Sequence, residues 1–180
     1  QDQPHPLMLA FEHLQYDAIG LGNHDFNFGL EALDFALAQS PCPVVCSNLR
    51  RLGEVDQTQP FTVLERSVLV GDAMLPIRIG VLSFLPSQTL RWDAHLLENR
   101  IEIDDILQSA HQHVRLLRRE GCDLIVEAVF EDVGVKAEMT KKVEAIIGDD
   151  AIFATNTSTL PITELAKASV RADQFIGIHF

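Results

Sequence analysis

The sequence predicts an α/β fold, with a layered mixed or parallel sheet and flanking helices. Three observations predict it. Short apolar runs of strand length alternate with amphipathic stretches of helical length along the chain. From Asp123 the alternation becomes regular, as strand, helix, strand, helix, strand, which is the order that parallel strands joined by helical crossovers require. Apolar residues make up 47% and charged residues 22% of the 180, enough to bury a core without disulfides or structural metal and too apolar for a disordered chain.

Each element has its own reason. Asp17 to Leu21 reads as a strand leading into Gly22-Asn23-His24-Asp25. Leu30, Leu33 and Leu37 at helical spacing predict a helix over Gly29 to Ala38. Val44 to Ser47 reads as a short strand, and charge, Gln and Gly mark Arg50 to Pro60 as loop. Phe61 to Val70 and Ile77 to Phe84 read as a hairpin around Gly71-Asp72. Ile106, Ala110, Val114 and Leu117 share one face of a helix over Ile103 to Glu120. Asp123 to Ala128 is a strand, and Val135 to Ile147 is a helix closed near Gly148. Ala151 to Thr155 is a strand, Pro161 to Ser169 a helix with proline in its first turn, and Phe175 to His179 a strand.

Composition excludes several classes of function. Lys plus Arg is 14 against 26 Asp plus Glu, a net charge of −12, which argues against nucleic-acid binding through clustered cations. No apolar run approaches the roughly 20 residues of a membrane helix. Gln1 to Pro6 carries neither a basic nor an apolar leader segment, so no secretory signal is expected and the chain is read as cytoplasmic as expressed. Cys42, Cys46 and Cys122 are odd in number and lack zinc-knuckle spacing, so they are read as buried or half-buried free thiols.

Functional groups on parallel sheets gather at the C-terminal strand ends, where Asn156, Ser158, His179 and the Glu127/Glu131 pair fall. Gly22 to Gly29 follows a strand in the same way. There Asn23 offers a neutral oxygen to a hard divalent cation, and His24 can protonate a leaving oxygen. Taken alone, Asn-His-Asp is also compatible with a plain strand-to-helix turn whose histidine is satisfied locally.

The string Tyr16 to Glu31, followed by Ile79 to Pro86, Trp92-Asp93, Ile103 to Gly121 and Asp123 to Val126, resembles the binuclear metallophosphoesterases of the 5′-nucleotidase superfamily. The match runs in order over roughly residues 5–126. Asn27 replaces the Asp that nucleotidases proper pair with their catalytic His. With Pro86, Gln88 and Trp92-Asp93, it is more similar to the 2′,3′-cyclic-nucleotide 2′-phosphodiesterase branch. The resemblance implies Asn23 as a metal ligand, His24 as the phosphate-facing catalytic residue, and a divalent metal pair as cofactor. The family's Asp-x-His has no counterpart before Asn23, where Asp2 and His5 have the wrong spacing, and Glu127-Ala128-Val129 stands where a His-bearing strand end would follow. One Asn and one His cannot hold two ions.

From Asp123 the chain resembles the NAD-binding domain of the 3-hydroxyacyl-CoA dehydrogenases, through Asp123 to Asp132, Val135-Lys136, Ala151 to Ile162 and Phe175 to Phe180. That resemblance implies a Rossmann-like βαβαβ half with NAD as cofactor. Ser158 would bond the substrate's C3 oxygen and His179 would be the general base. Glu131 and Lys136 would sit near the NAD ribose and nicotinamide, and Asn156 would shape the turn beside the cofactor. The Gly-x-Gly-x-x-Gly turn of such domains does not occur in the sequence.

Together the two resemblances divide the chain into a truncated metallophosphoesterase-like segment, 1–122, and a truncated dehydrogenase-like segment, 123–180, with one joint α/β domain as the alternative. The favoured expectation is a chimera with two incomplete sites and little or no turnover. The alternatives are a phosphodiesterase completed by a partner chain, and a weak NAD or CoA-binding module of fatty-acid-oxidation type. Partners are expected to be a small-molecule nucleotide or acyl-CoA at most, with no nucleic acid and no membrane. Self-association would follow if the join leaves strand edges open.

Overall fold

The computed structural model describes residues 4–53 and 55–179. Asp2, Glu54 within the charged loop, and Phe180 at the end of the last apolar run lie outside the described residues. The chain runs α1 (Pro6–His13), β1 (Ile19–Gly20), α2 (Leu30–Leu37), β2 (Val44–Val45), β3 (Leu49–Arg51), β4 (Thr62–Val70), β5 (Ala73–Ser83), α3 (Thr89–Trp92), α4 (Ala94–Leu97), β6 (Ile101–Ile103), α5 (Ile106–Arg119), β7 (Leu124–Ala128), α6 (Val133–Ile147), β8 (Ile152–Asn156), α7 (Ile162–Leu165) and β9 (Ile176–Ile178).

The main sheet has five strands in the order β4-β5-β7-β8-β9. β4 and β5 form the antiparallel hairpin, turned by Gly71 at φ +61°, a left-handed value that glycine adopts without a Cβ clash. The remaining pairs are parallel. β7 is the seam: Ile79–Ser83 of β5 pair along one edge, and Ile152–Thr155 of β8 along the other. The sheet is therefore continuous across residue 123. One buried cluster follows it, joining Leu82 and Phe84 to Val114, Leu117, Ile125, Met139, Val143, Ile147 and Phe153 beneath α5 and α6. A second cluster, Phe26, Leu30, Leu33, Leu37, Val44, Leu85, Leu97 and Ile101, lies wholly within the first part of the chain. It encloses the β1-α2-β2 unit, whose two short strands pair in parallel.

The expected elements are present, with several boundaries moved. α5 begins at Ile106 rather than Ile103 because Ile101–Ile103 is an edge strand on Leu49–Arg51, and the Asp105 carboxylate then caps the helix by accepting from the Gln108 amide at 2.8 Å. The same pairing takes Arg50 and Arg51 out of the expected loop. The helix expected over Pro161 to Ser169 is one α-helical turn, α7, continued as a 3₁₀ turn to Ala168. α7 lies tight on β9: a Cβ on Gly177 would stand 2.1 Å from Ile162 Cδ1. α1, α3, α4, β3 and β6 go beyond the sequence expectations, being short or carried by tertiary packing rather than periodicity.

Candidate functional site

The loop after β1 is a 3₁₀ turn, Asn23–Phe26, closed where the Asp25 carboxylate accepts from the Gly22 amide at 2.7 Å. Phe26 is fully buried and anchors the turn in the second core. Anchoring leaves Asn23 half-buried and His24 exposed. His24 Nδ1 lies 3.0 Å from Asn27 Oδ1. The other end of that amide donates to both carboxylate oxygens of Asp93, at 3.2 Å each. Asp93 is buried at the junction of α3 and α4. It is visible in the sequence only as half of Trp92-Asp93. Nothing in a linear reading places it against Asn27, 66 positions away.

His24 lines a cavity of about 240 Å³ with His5, Asp25 and apolar walls from Phe11, Phe28 and Leu33. Among the described residues no three or more His, Cys, Asp or Glu side chains come together as a metal-holding group. No such group surrounds Asn23 among the described residues.

The second set of expected residues sits past the ends of β8 and β9, whose register pairs Asn156 with Ile178. That register puts Ser158 and His179 on the wall of one cleft of about 260 Å³, with Thr157, Pro161, Ile162 and Gly177. Glu131 reaches it from the loop after β7. Its carboxylate accepts from Thr157 Oγ1 at 2.6 Å, from the Ser158 amide at 2.8 Å and from Ser158 Oγ at 3.3 Å. Partial burial works against ionisation of Glu131, but the bonds from Thr157 and Ser158 outweigh it and hold its carboxyl below the ordinary range.

Lys136, in the first turn of α6, is fully buried. Its ammonium donates to Glu127 Oε1 at 3.1 Å, to Thr155 Oγ1 at 3.1 Å and to the Asn156 carbonyl at 2.7 Å. Those three bonds use all three of its protons. Glu127 and Thr155 are register partners on β7 and β8, and Thr155 Oγ1 also donates to Glu127. Burial pushes the Glu127 carboxyl up, and the Lys136 charge only partly offsets that. Lys136 thus ties α6 to two strand ends and has no donor left for a ligand. Glu131 is likewise engaged, by Thr157 and Ser158. The two cavities share no lining residue, so His24 and His179 face separate clefts. In the sequence Glu127 is legible only as one of a strand-end pair, and its role as the buried partner of Lys136 depends on the β7–β8 register.

Fold and site together define a mixed α/β chain with helices flanking its main sheet. The chain belongs to the family of the 3-hydroxyacyl-CoA dehydrogenase NAD-binding domain, whose family model matches residues 91–180, taking in α5 as well as the strands that follow it. It is also similar to the trifunctional nucleotide phosphoesterase protein YfkN of Bacillus subtilis, 28% identical over 86% of this chain and 10% of that protein. It is 33% identical to the fatty acid oxidation complex subunit alpha of a Shewanella species over 63% of this chain and 17% of that one. The crystal structure of the calcineurin-like phosphoesterase YfkN superposes with a TM-score of 0.74 at 20% identity, over 98% of this chain and 57% of that one. At that identity the likeness shows fold alone, and it extends over nearly the whole chain, the strands after Asp123 included. The chain spans a small fraction, 10% and 17%, of the curated relatives named. No helix among the described residues is long and apolar enough to cross a membrane.

Proposed function

We propose that this 180-residue stretch is a composite scaffold carrying two incomplete reaction centres. One comes from a metal-dependent (cyclic) nucleotide phosphoesterase, over residues 1–122, and one from an NAD-dependent 3-hydroxyacyl-CoA dehydrogenase, over 123–180, with little or no turnover of its own. The observation that carries this reading is the seam strand β7, hydrogen-bonded to strands of both kinds while the groups past their ends line unconnected cavities. In the first centre Asn23 is the metal-side residue and His24 the phosphate-facing acid. In the second, Ser158 would hold a C3 oxygen and His179 would accept its proton, an imidazole being suited to that transfer near neutral pH. Glu131, Lys136 and Asn156 are inherited from the cofactor side, and in this fold they brace the strand ends.

A second reading, a phosphodiesterase completed by a partner chain, is favoured by one observation: the hydrogen-bonded series His24–Asn27–Asp93 is intact. The test is hydrolysis of bis(4-nitrophenyl) phosphate with added Mn²⁺, beside NADH fluorescence and oxidation of 3-hydroxybutyryl-CoA. The composite reading expects rates at the buffer-plus-metal background, unchanged by His24→Ala, and no saturable NADH signal. Metal-dependent turnover abolished by His24→Ala would overturn it in favour of the second reading. Saturable NADH binding would overturn it in favour of the nucleotide-binding module.

A further inference from the structure

The contact between Asn27 and Asp93 carries more than packing. A carboxylate presents only acceptors, so the end of the Asn27 amide that faces both Asp93 oxygens at 3.2 Å is its NH₂ end. Its Oδ1, which can only accept, is thereby turned on His24 Nδ1 at 3.0 Å. The nitrogen facing it must then carry a proton. We propose that Asp93 is a positioning residue that, acting through Asn27, holds His24 in the Nδ1–H tautomer and leaves Nε2 as the bare nitrogen open to a substrate. This rests on the phosphoesterase reading of His24 for its consequence, though not for its geometry.

The arrangement also explains the asparagine at position 27. An aspartate there would accept from His24 equally well, but it would set a carboxylate against the buried carboxylate of Asp93, where both are acceptors and like charges repel. Asn27 and Asp93 are therefore a matched pair, and the match predicts which exchanges are tolerated. Asp93 belongs to neither end of the reaction: it is buried 66 positions from Asn27 and is not among the residues lining the His24 cavity. Its effect is exerted only through the amide.

The experiment is a long-range ¹H–¹⁵N spectrum of the ¹⁵N-labelled chain, recorded alkaline enough for the imidazoles to be neutral, with His24 assigned through His24→Gln. In the parent chain His24 should show a single tautomer, Nδ1 at the protonated shift and Nε2 far downfield. Asp93→Asn, nearly isosteric, lets the two amides turn about and should draw both nitrogens toward averaged shifts. Asn27→Asp should do the same by repulsion. The exchanged double variant, Asn27→Asp with Asp93→Asn, should restore the single Nδ1–H pattern, because the carboxylate it places at position 27 can accept from both neighbours. A parent chain with Nε2 protonated would overturn the proposal without any variant. So would an Asp93→Asn chain that keeps the parent pattern while its circular dichroism stays native. Because the readout needs no turnover, failure of the hydrolysis assay counts against the phosphoesterase reading alone, and a wrong tautomer counts against this inference alone.

Discussion

Lys136→Met breaks the most deeply buried ion pair described, with side-chain exposures of 1% for Lys136 and 2% for Glu127. Removing one partner leaves the Glu127 charge, the Thr155 hydroxyl and the Asn156 carbonyl without their common donor. Loss of one member of such a pair costs about 3–5 kcal/mol, against a total stability of roughly 5–15 kcal/mol. At roughly 2–4 °C per kcal/mol for a chain of this size, Tm should fall by roughly 6–20 °C. The double variant Lys136→Met with Glu127→Leu should recover most of that, since apolar replacement of both partners removes the uncompensated charge. The pH dependence has a definite sign. Burial raises the Glu127 carboxyl above its ordinary 4.5, so the folded chain keeps a proton that the unfolded chain releases. Stability therefore declines as pH rises from about 4.5 through the folded value. Without Lys136 the folded value climbs further and the decline extends to higher pH. Urea unfolding of the parent and both variants at several pH values measures all of this. A single variant that loses less than about 1 kcal/mol, as an exposed pair would, refutes the reasoning.

Two further outcomes follow from burial. Cys46 is 2% exposed and burial pushes its thiol up to about 12, so a brief native-state labelling with a maleimide, mapped by mass spectrometry, should mark Cys42 first and leave Cys46 and Cys122 unmodified until the chain is unfolded. His113 is buried with Nε2 at 2.9 Å from the Ser47 carbonyl, and burial lowers its pKa despite that bond. The unfolded ring takes a proton near 6.5 while the folded ring resists it, so stability falls as pH drops below that value. His113→Gln should flatten the urea midpoint between about pH 5 and pH 7, and an unchanged slope would exclude His113 as the source.

Much of the architecture is legible because it is local. The short continuous apolar runs that open Leu124–Ala128 and Ile152–Asn156, and the helical period in Ile106–Arg119, report burial and need no knowledge of the partner. The glycine at 71, at the first position of a two-residue hairpin turn, and the proline before Ile162 are equally local signals. β3, β6 and the short helices α3 and α4 are not legible. Each is too brief to show a period, and β3 and β6 exist only because residues 49–51 and 101–103 meet.

The candidate residues divide along the same line. Composition and order alone determined that this chain is an acidic α/β protein with a strand-end Asn23-His24, a strand-end Ser158 and a His179, and with segments resembling two families. Only the tertiary structure decided that one continuous sheet joins those segments, that Ser158 and His179 share a cleft which His24 does not, that Lys136 is locked to Glu127, Thr155 and Asn156, and that Asp93 accepts from the amide beside His24. The reason is physical. Periodicity and turn chemistry act between neighbours in sequence, whereas strand register and hydrogen-bond direction act between groups that only a closed chain brings within about 3 Å of each other.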